Sequence, residues 1–186
     1  MKKTMLAILM CVVMVFGVTG CGKSDIEEAK KDLQESQEKN GFVEKETVDV
    51  LVAKFNTEVV DNSSLNPAST DYLTESNNQY WYGLIEGIYL VVVPEEHTGD
   101  KSTEIVNYTL LYVNKTGEHE DNATSYIKYL IRANNNQITD SEIDTLLEDA
   151  KTKSNSGKPV NNGKGISIGY TENEEVYQYQ VLRLYK

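Results

Sequence analysis

Residues 43 to 60 read V-E-K-E-T-V-D-V-L-V-A-K-F-N-T-E-V-V, with apolar side chains at Val48, Leu51, Val52, Phe55 and Val59. That i, i+3, i+4, i+7 spacing predicts an amphipathic helix. Asp61-Asn62-Ser63-Ser64 and Asn66-Pro67 end it, because these residues favour turns. The pattern then changes. Asp71 to Pro94 is aromatic and β-branched, with turn signals at Asn77-Asn78 and Glu86-Gly87, which predicts strands joined by tight turns. Ile88 to Val93 is apolar at every position, as in a strand covered on both faces. Glu104 to Val113 predicts a further strand, after a polar loop over residues 95–102.

Helical spacing returns at Tyr126, Ile127, Leu130 and Ile131, and again at Ile143, Leu146, Leu147 and Ala150. Asn134-Asn135-Asn136 separates the two stripes, and Thr139-Asp140-Ser141-Glu142 has the S/T-x-x-E form of a capping box. Ser154 to Lys164 reads as a loop. Gly165 to Thr171 and Glu175 to Tyr185 read as a closing hairpin around Glu172-Asn173-Glu174. The order is helix, three or four strands, helix pair, two strands. Without alternating βαβ units a parallel nucleotide-binding sheet is not expected. The predicted class is α+β: a single antiparallel β-sheet with an N-terminal helix and a central helix pair packed against it. Helix-then-strands occurs twice, which hints at two halves of similar plan, although no residues match between them.

Residues 1–42 have a different character. Lys2 and Lys3 precede an uncharged run from Met5 to Val18. The run suits the apolar core of a secretory signal and falls short of the roughly 20 residues that span a bilayer. Val18-Thr19-Gly20-Cys21 follows, an aliphatic residue and two small ones before a cysteine. This resembles the lipobox of bacterial lipoproteins. The resemblance implies that the Cys21 thiol carries a diacylglycerol, that cleavage occurs before it, and that the protein sits on the extracytoplasmic face of a bacterial membrane. The membrane is then a partner through the lipid on Cys21, since two acyl chains supply the two signals stable anchoring needs. The expected organisation is a signal peptide at 1–20, a lipidated cysteine and charged tether at 21–41, and an α+β domain at 42–186.

Charge and cysteine content narrow the functions. The chain has 18 basic and 29 acidic residues, a formal net charge of −11. Nucleic acid is excluded as an expected partner, because its binding is dominated by cationic contacts to phosphate. The two cysteines are Cys11, within the leader, and Cys21. Residues 42–186 therefore carry no thiol for catalysis, disulfide or zinc–thiolate chemistry. The tether, Gly22 to Gly41, mixes charges of both signs with few apolar residues. As a flexible chain it spans about 25 Å.

Candidate chemistry is sparse. The junction I-R-A-N-N-N-Q-I-T-D-S-E has the Ile–Glu spacing that closes a calcium loop. Its first and third ligand positions would be Ile131 and Ala133, which supply no oxygen. Two acidic clusters include the only histidines, Glu95-Glu96-His97 with Asp100, and Glu118-His119-Glu120-Asp121. Both read as solvated loops. No H-E-x-x-H occurs. No catalytic residue, metal or cofactor is assigned, and a carboxylate-based hydrolase is the least favoured reading. The aromatics stand out: there are 12 tyrosines and one tryptophan, mostly on predicted strands. Tyrosine offers rigid area with a polar tip, suited to recognition. The sequence nominates Tyr80, Trp81, Tyr82, Tyr177 and Tyr179 as ligand-binding residues. The expected function is a binding module for an envelope protein or glycan. The alternative is a structural or inhibitory envelope protein with no small ligand.

Overall fold

The computed structural model describes residues 43–69, 74–115, 120–153, 158–161 and 163–185. The leader, Cys21 and the tether lie outside the described residues. The first helix, α1, is Val48–Asn62. It starts at Val48, later than the run beginning at residue 43, because Thr47 caps it: the Thr47 side chain accepts from the Val50 N–H. The five residues of the predicted stripe are all buried. Burying Phe55 contributes about 2–3 kcal/mol, and its ring stacks on Tyr126 at 6.3 Å.

Four strands follow: β1 Thr74–Ser76, β2 Gln79–Ile85, β3 Ile88–Pro94 and β4 Val106–Asn114. Then come α2 Glu120–Asn134, α3 Asp140–Thr152, β5 Val160–Asn161, β6 Ile166–Glu172 and β7 Val176–Arg183. The two-residue β5 falls within the stretch predicted as loop. The sheet is antiparallel throughout, in the order β1-β2-β3-β4-β7-β6-β5. Each run of strands thus ends at the centre, where β4 meets β7. This is the predicted α+β class.

The three helices among the described residues contribute their buried apolar residues to one core cluster, with alternate side chains of the sheet. The Asn77-Asn78 turn has both residues at positive φ, 53° and 61°. That is the two-residue hairpin geometry that asparagine tolerates. Residues 43–47 form an extended strap. Val43 bridges Tyr185 in parallel, and Thr47 bridges Ile105. Arg183, 1 % exposed, pins it: its guanidinium donates to the Glu44 carbonyl at 2.9 Å, the Glu46 carboxylate at 3.2 Å and Asn134 Oδ1 at 3.0 Å. Among the described residues no helix is long and apolar enough to cross a membrane.

Candidate functional site

Strand alternation separates the nominated aromatics. Tyr80 and Tyr82 lie on the helix-covered face of β2 and are fully buried. Tyr177 and Tyr179 lie on the same face of β7, at 8 % and 4 % exposure. They form a triangle with Tyr170, with centroids 4.9 to 6.0 Å apart, and Lys151 Nζ sits 5.9 Å above both Tyr170 and Tyr179. Burial raises the Tyr170 and Tyr179 hydroxyls well above the usual phenol range. These four tyrosines are core residues in position, which corrects their grouping with Trp81 on one binding surface. The reason is the period of two along a strand: residues 80 and 82 must face away from residue 81.

Trp81 faces the other side, and there it gains partners. Its ring meets Tyr89 at 6.1 Å and Tyr112 at 5.6 Å, and Tyr89 meets Tyr112 at 6.2 Å. Trp81 meets both tyrosines edge-on, at 63° and 64°, the arrangement aromatic quadrupoles favour, and Tyr89 and Tyr112 are tilted at 59° to each other. All three rings are half-buried. The cross-strand register places the triangle within rows running across five strands. One row holds Gly83, Tyr89, Tyr112, Gln178 and Thr171. The next holds Trp81, Val91, Leu110, Gln180 and Gly169. A third holds Val93, Tyr108, Leu182, Ser167 and Asn161. None of these fifteen side chains is charged, in a chain where 25 % of residues are.

The burial of this face is graded. Tyr89, Tyr112, Gln178, Thr171 and Trp81 are half-buried, whereas Val91, Leu110, Gln180 and Leu182 are buried. Among the described residues no helix residue joins the second apolar cluster, which comprises Val91, Val93, Tyr108, Leu110 and Leu182 with Trp81 and Tyr112 packed against it. Gln180 is 1 % exposed, and neither its amide oxygen nor its nitrogen has a partner; Trp81 Nε1 is also buried without one. Buried polar groups normally have partners, so these atoms are exceptions to the rule. Tyr89 and Tyr112 were not among the nominated residues. The signal that assigns them is the β2–β3 register, which sets them beside Trp81.

The end of the sheet nearest the half-buried row is acidic. The Asn114 N–H donates to the Gly87 carbonyl and the Lys115 N–H to the Glu175 carbonyl, each at 2.8 to 2.9 Å. These bonds gather the β2–β3 turn, the end of β4 and the β6–β7 turn. Glu86, Glu172, Glu174 and Glu175 are exposed there. Lys115 pairs with Glu172, and that bond, joined by one from Tyr170, lowers the Glu172 carboxyl below its usual range.

The first acidic-histidine cluster resolves differently. His97 Nδ1 lies 3.4 Å from Glu104 Oε1, and the His97 ring meets Tyr80 at 5.2 Å. Glu104 also accepts from the Thr98 and Gly99 N–H groups and the Thr98 hydroxyl, so this carboxylate closes the 95–105 loop. Glu118 and His119, and the side chains of Glu120 and Asp121, lie outside the described set. Among the described residues no group of three His, Cys, Asp or Glu side chains converges as a metal site. A cleft of about 350 Å³ opens beside the strap, lined by Glu46, Lys54, Glu58 and Arg132 among others. Its cations are already engaged, Lys54 with Glu46 and Arg132 with Asp140. The helix-pair junction is an ordinary capped connection, with the Thr139–Glu142 box formed in both directions.

Compared with known protein families, curated proteins and solved structures, the chain matches none.

Proposed function

We propose that the domain is the binding module of a lipid-anchored bacterial lipoprotein, held at the extracytoplasmic membrane face through Cys21. It engages an envelope protein or glycan through the half-buried aromatic edge of the uncharged sheet face, around Trp81, Tyr89 and Tyr112. The observation that carries this is the Trp81–Tyr89–Tyr112 triangle, half-buried within fifteen uncharged positions of a chain with 29 acidic residues. Burying that face against a partner desolvates no charge, and charge desolvation is what makes most acidic surfaces poor interfaces. Interface cores have this composition, rich in Tyr and Trp and depleted in Lys, Glu and Asp.

The test uses the full chain purified from membranes and immobilised against a cell-envelope extract. Wild-type protein retains one envelope component, and Trp81→Ala lowers that retention about 30-fold or more, as loss of a ~2 kcal/mol anchor residue requires. Gln178→Arg does the same without removing any packed ring. Equal retention by all three proteins removes the support for this face. Intact-mass measurement of the same preparation checks the anchor: the N-terminal peptide begins at Cys21 and carries a diacylglycerol, and an unlipidated or differently cleaved N-terminus overturns that half of the proposal.

A further inference from the structure

We infer that the strap of residues 43–47 and the loop of residues 95–105 form one latch, which opens as a unit while the sheet stays folded and uncovers the cleft beside the strap. None of its residues belongs to the aromatic edge, so it stands apart from the binding reading. The composition of the two segments sets their stability. Of these sixteen residues Val43 is the one buried apolar side chain, and Ile105 is half-buried. The neighbouring strands β4 and β7 bury most of their side chains. Apolar burial is the dominant favourable term in folding. Segments with few buried apolar contacts and many exposed backbone hydrogen bonds therefore open at lower free energy than the core.

Polar bonds that close on one another hold the two segments instead. The Val48 N–H donates to the Glu104 carbonyl and the Val106 N–H to the Glu46 carbonyl, each at 2.9 Å, and the Asp49 N–H donates to the Lys101 carbonyl at 3.2 Å. Lys45 reaches Glu95 at 3.4 Å. The Glu104 carboxylate in turn gathers Thr98 and Gly99. Lifting the strap frees the backbone that positions this carboxylate, so strap and loop lose order together. On its other side the strap meets β7. The Val43 N–H donates to the Leu184 carbonyl at 3.1 Å, and Glu46 is the carboxylate partner of Arg183, which is 1 % exposed. A half-lifted strap leaves a buried cation without its counter-charge, which is costly. The latch is therefore two-state: seated with Arg183 paired, or free with Arg183 in water. Its opening changes a defined place. Val43, Glu44 and Glu46 supply one wall of the cleft of about 350 Å³, and Thr57 and Glu58 of α1 and Arg132 of α2 line the rest. Val43 is also the first described residue, so a pull on the chain before it acts on the strap before any described helix or strand.

Native-state hydrogen exchange of the full chain purified from membranes tests this. The amides of Val48, Glu95 and Val106 are expected to exchange at one common rate, on the order of 100-fold faster than those of Leu111 and Val181 in the central strands. Glu46→Gln should raise the common rate about tenfold, as loss of a hydrogen bond to a charged group requires, and leave Leu111 and Val181 unchanged. Arginine modification by phenylglyoxal gives an independent reading. The chain has two arginines, Arg132 and Arg183. Modification of the buried Arg183 should accelerate in Glu46→Gln by the same factor as the common rate, while Arg132 keeps its own. Strap amides as slow as those of the central strands would overturn the latch, since the strap would then open only with the whole fold. Unequal rates for strap and loop, or a Glu46→Gln variant that speeds every amide alike, would overturn it too.

Discussion

Glu104 shows how one buried side chain organises a loop. Its carboxylate is nearly inaccessible, and burial alone would raise its pKa; the Tyr80 hydroxyl and the Thr98 and Gly99 donors outweigh that and hold it below the usual carboxylate range. A carboxyl whose folded pKa is depressed stabilises the fold fully above its unfolded pKa. The contribution is lost as pH falls toward the folded value. Glu104→Gln keeps the shape but loses the charge that these donors favour. It should cost about 2 kcal/mol at neutral pH, the scale of hydrogen bonds to a charged group. The deficit should shrink as pH falls below the ordinary glutamate range toward the depressed folded value, where the wild-type carboxylate itself becomes protonated. Urea unfolding of both proteins across that range checks it. A deficit that stays constant with pH would mean the loop is held by shape and not by charge. Arg183 is the other residue of this kind. Its guanidinium joins the strap, α2 and β7 through three acceptors, a fork that lysine cannot reproduce.

At the scale of elements, the helices declare their own ends. Thr139 accepts from the Glu142 N–H while Glu142 returns a bond to the Thr139 N–H. Lys164, then the Thr139 N–H and hydroxyl, draw the Glu142 carboxyl down to about 2. Thr139→Ala removes the cap and should cost about 1 kcal/mol, a fall in Tm of ~2–4 °C for a domain of this size. Thr139→Ser should recover most of it, and a Tm fall as large for serine as for alanine would show that the hydroxyl is not what caps α3. These signals are local: stripe, cap and breaker all lie within a few residues, so α1, α2 and α3 were legible in the sequence. The face carrying Trp81 was not, because it depends on register. The Glu86-Gly87 turn pairs Ile85 with Ile88, and an uninterrupted ladder from there would set Trp81 opposite Val92, on the helix side. The shift between Gly83 and Ile85 moves the register by one, so Trp81 meets Val91 and Gly83 meets Tyr89. A one-residue shift reverses which side chains share a face. Tyrosine content alone could not separate the buried Tyr170–Tyr177–Tyr179 triangle from the half-buried Trp81–Tyr89–Tyr112 one.

For the whole molecule, net charge acts on stability. Surface pairs such as Lys128–Asp144 at 2.5 Å and Lys164–Glu142 at 2.7 Å are exposed enough that each contributes little. The uncompensated −11 works against the compact state everywhere. Raising salt from about 10 mM to about 0.1 M shortens the Debye length from ~30 Å to ~10 Å. It screens the few favourable pairs and the many unfavourable ones together, and the excess of acids decides the balance. The Tm at neutral pH should therefore rise with salt, on the order of 1 kcal/mol or ~2–4 °C. Scanning calorimetry on one salt series checks it. A falling Tm would mean that local pairs outweigh the net field, and a rising one that the excess of acidic residues governs the stability of the whole domain.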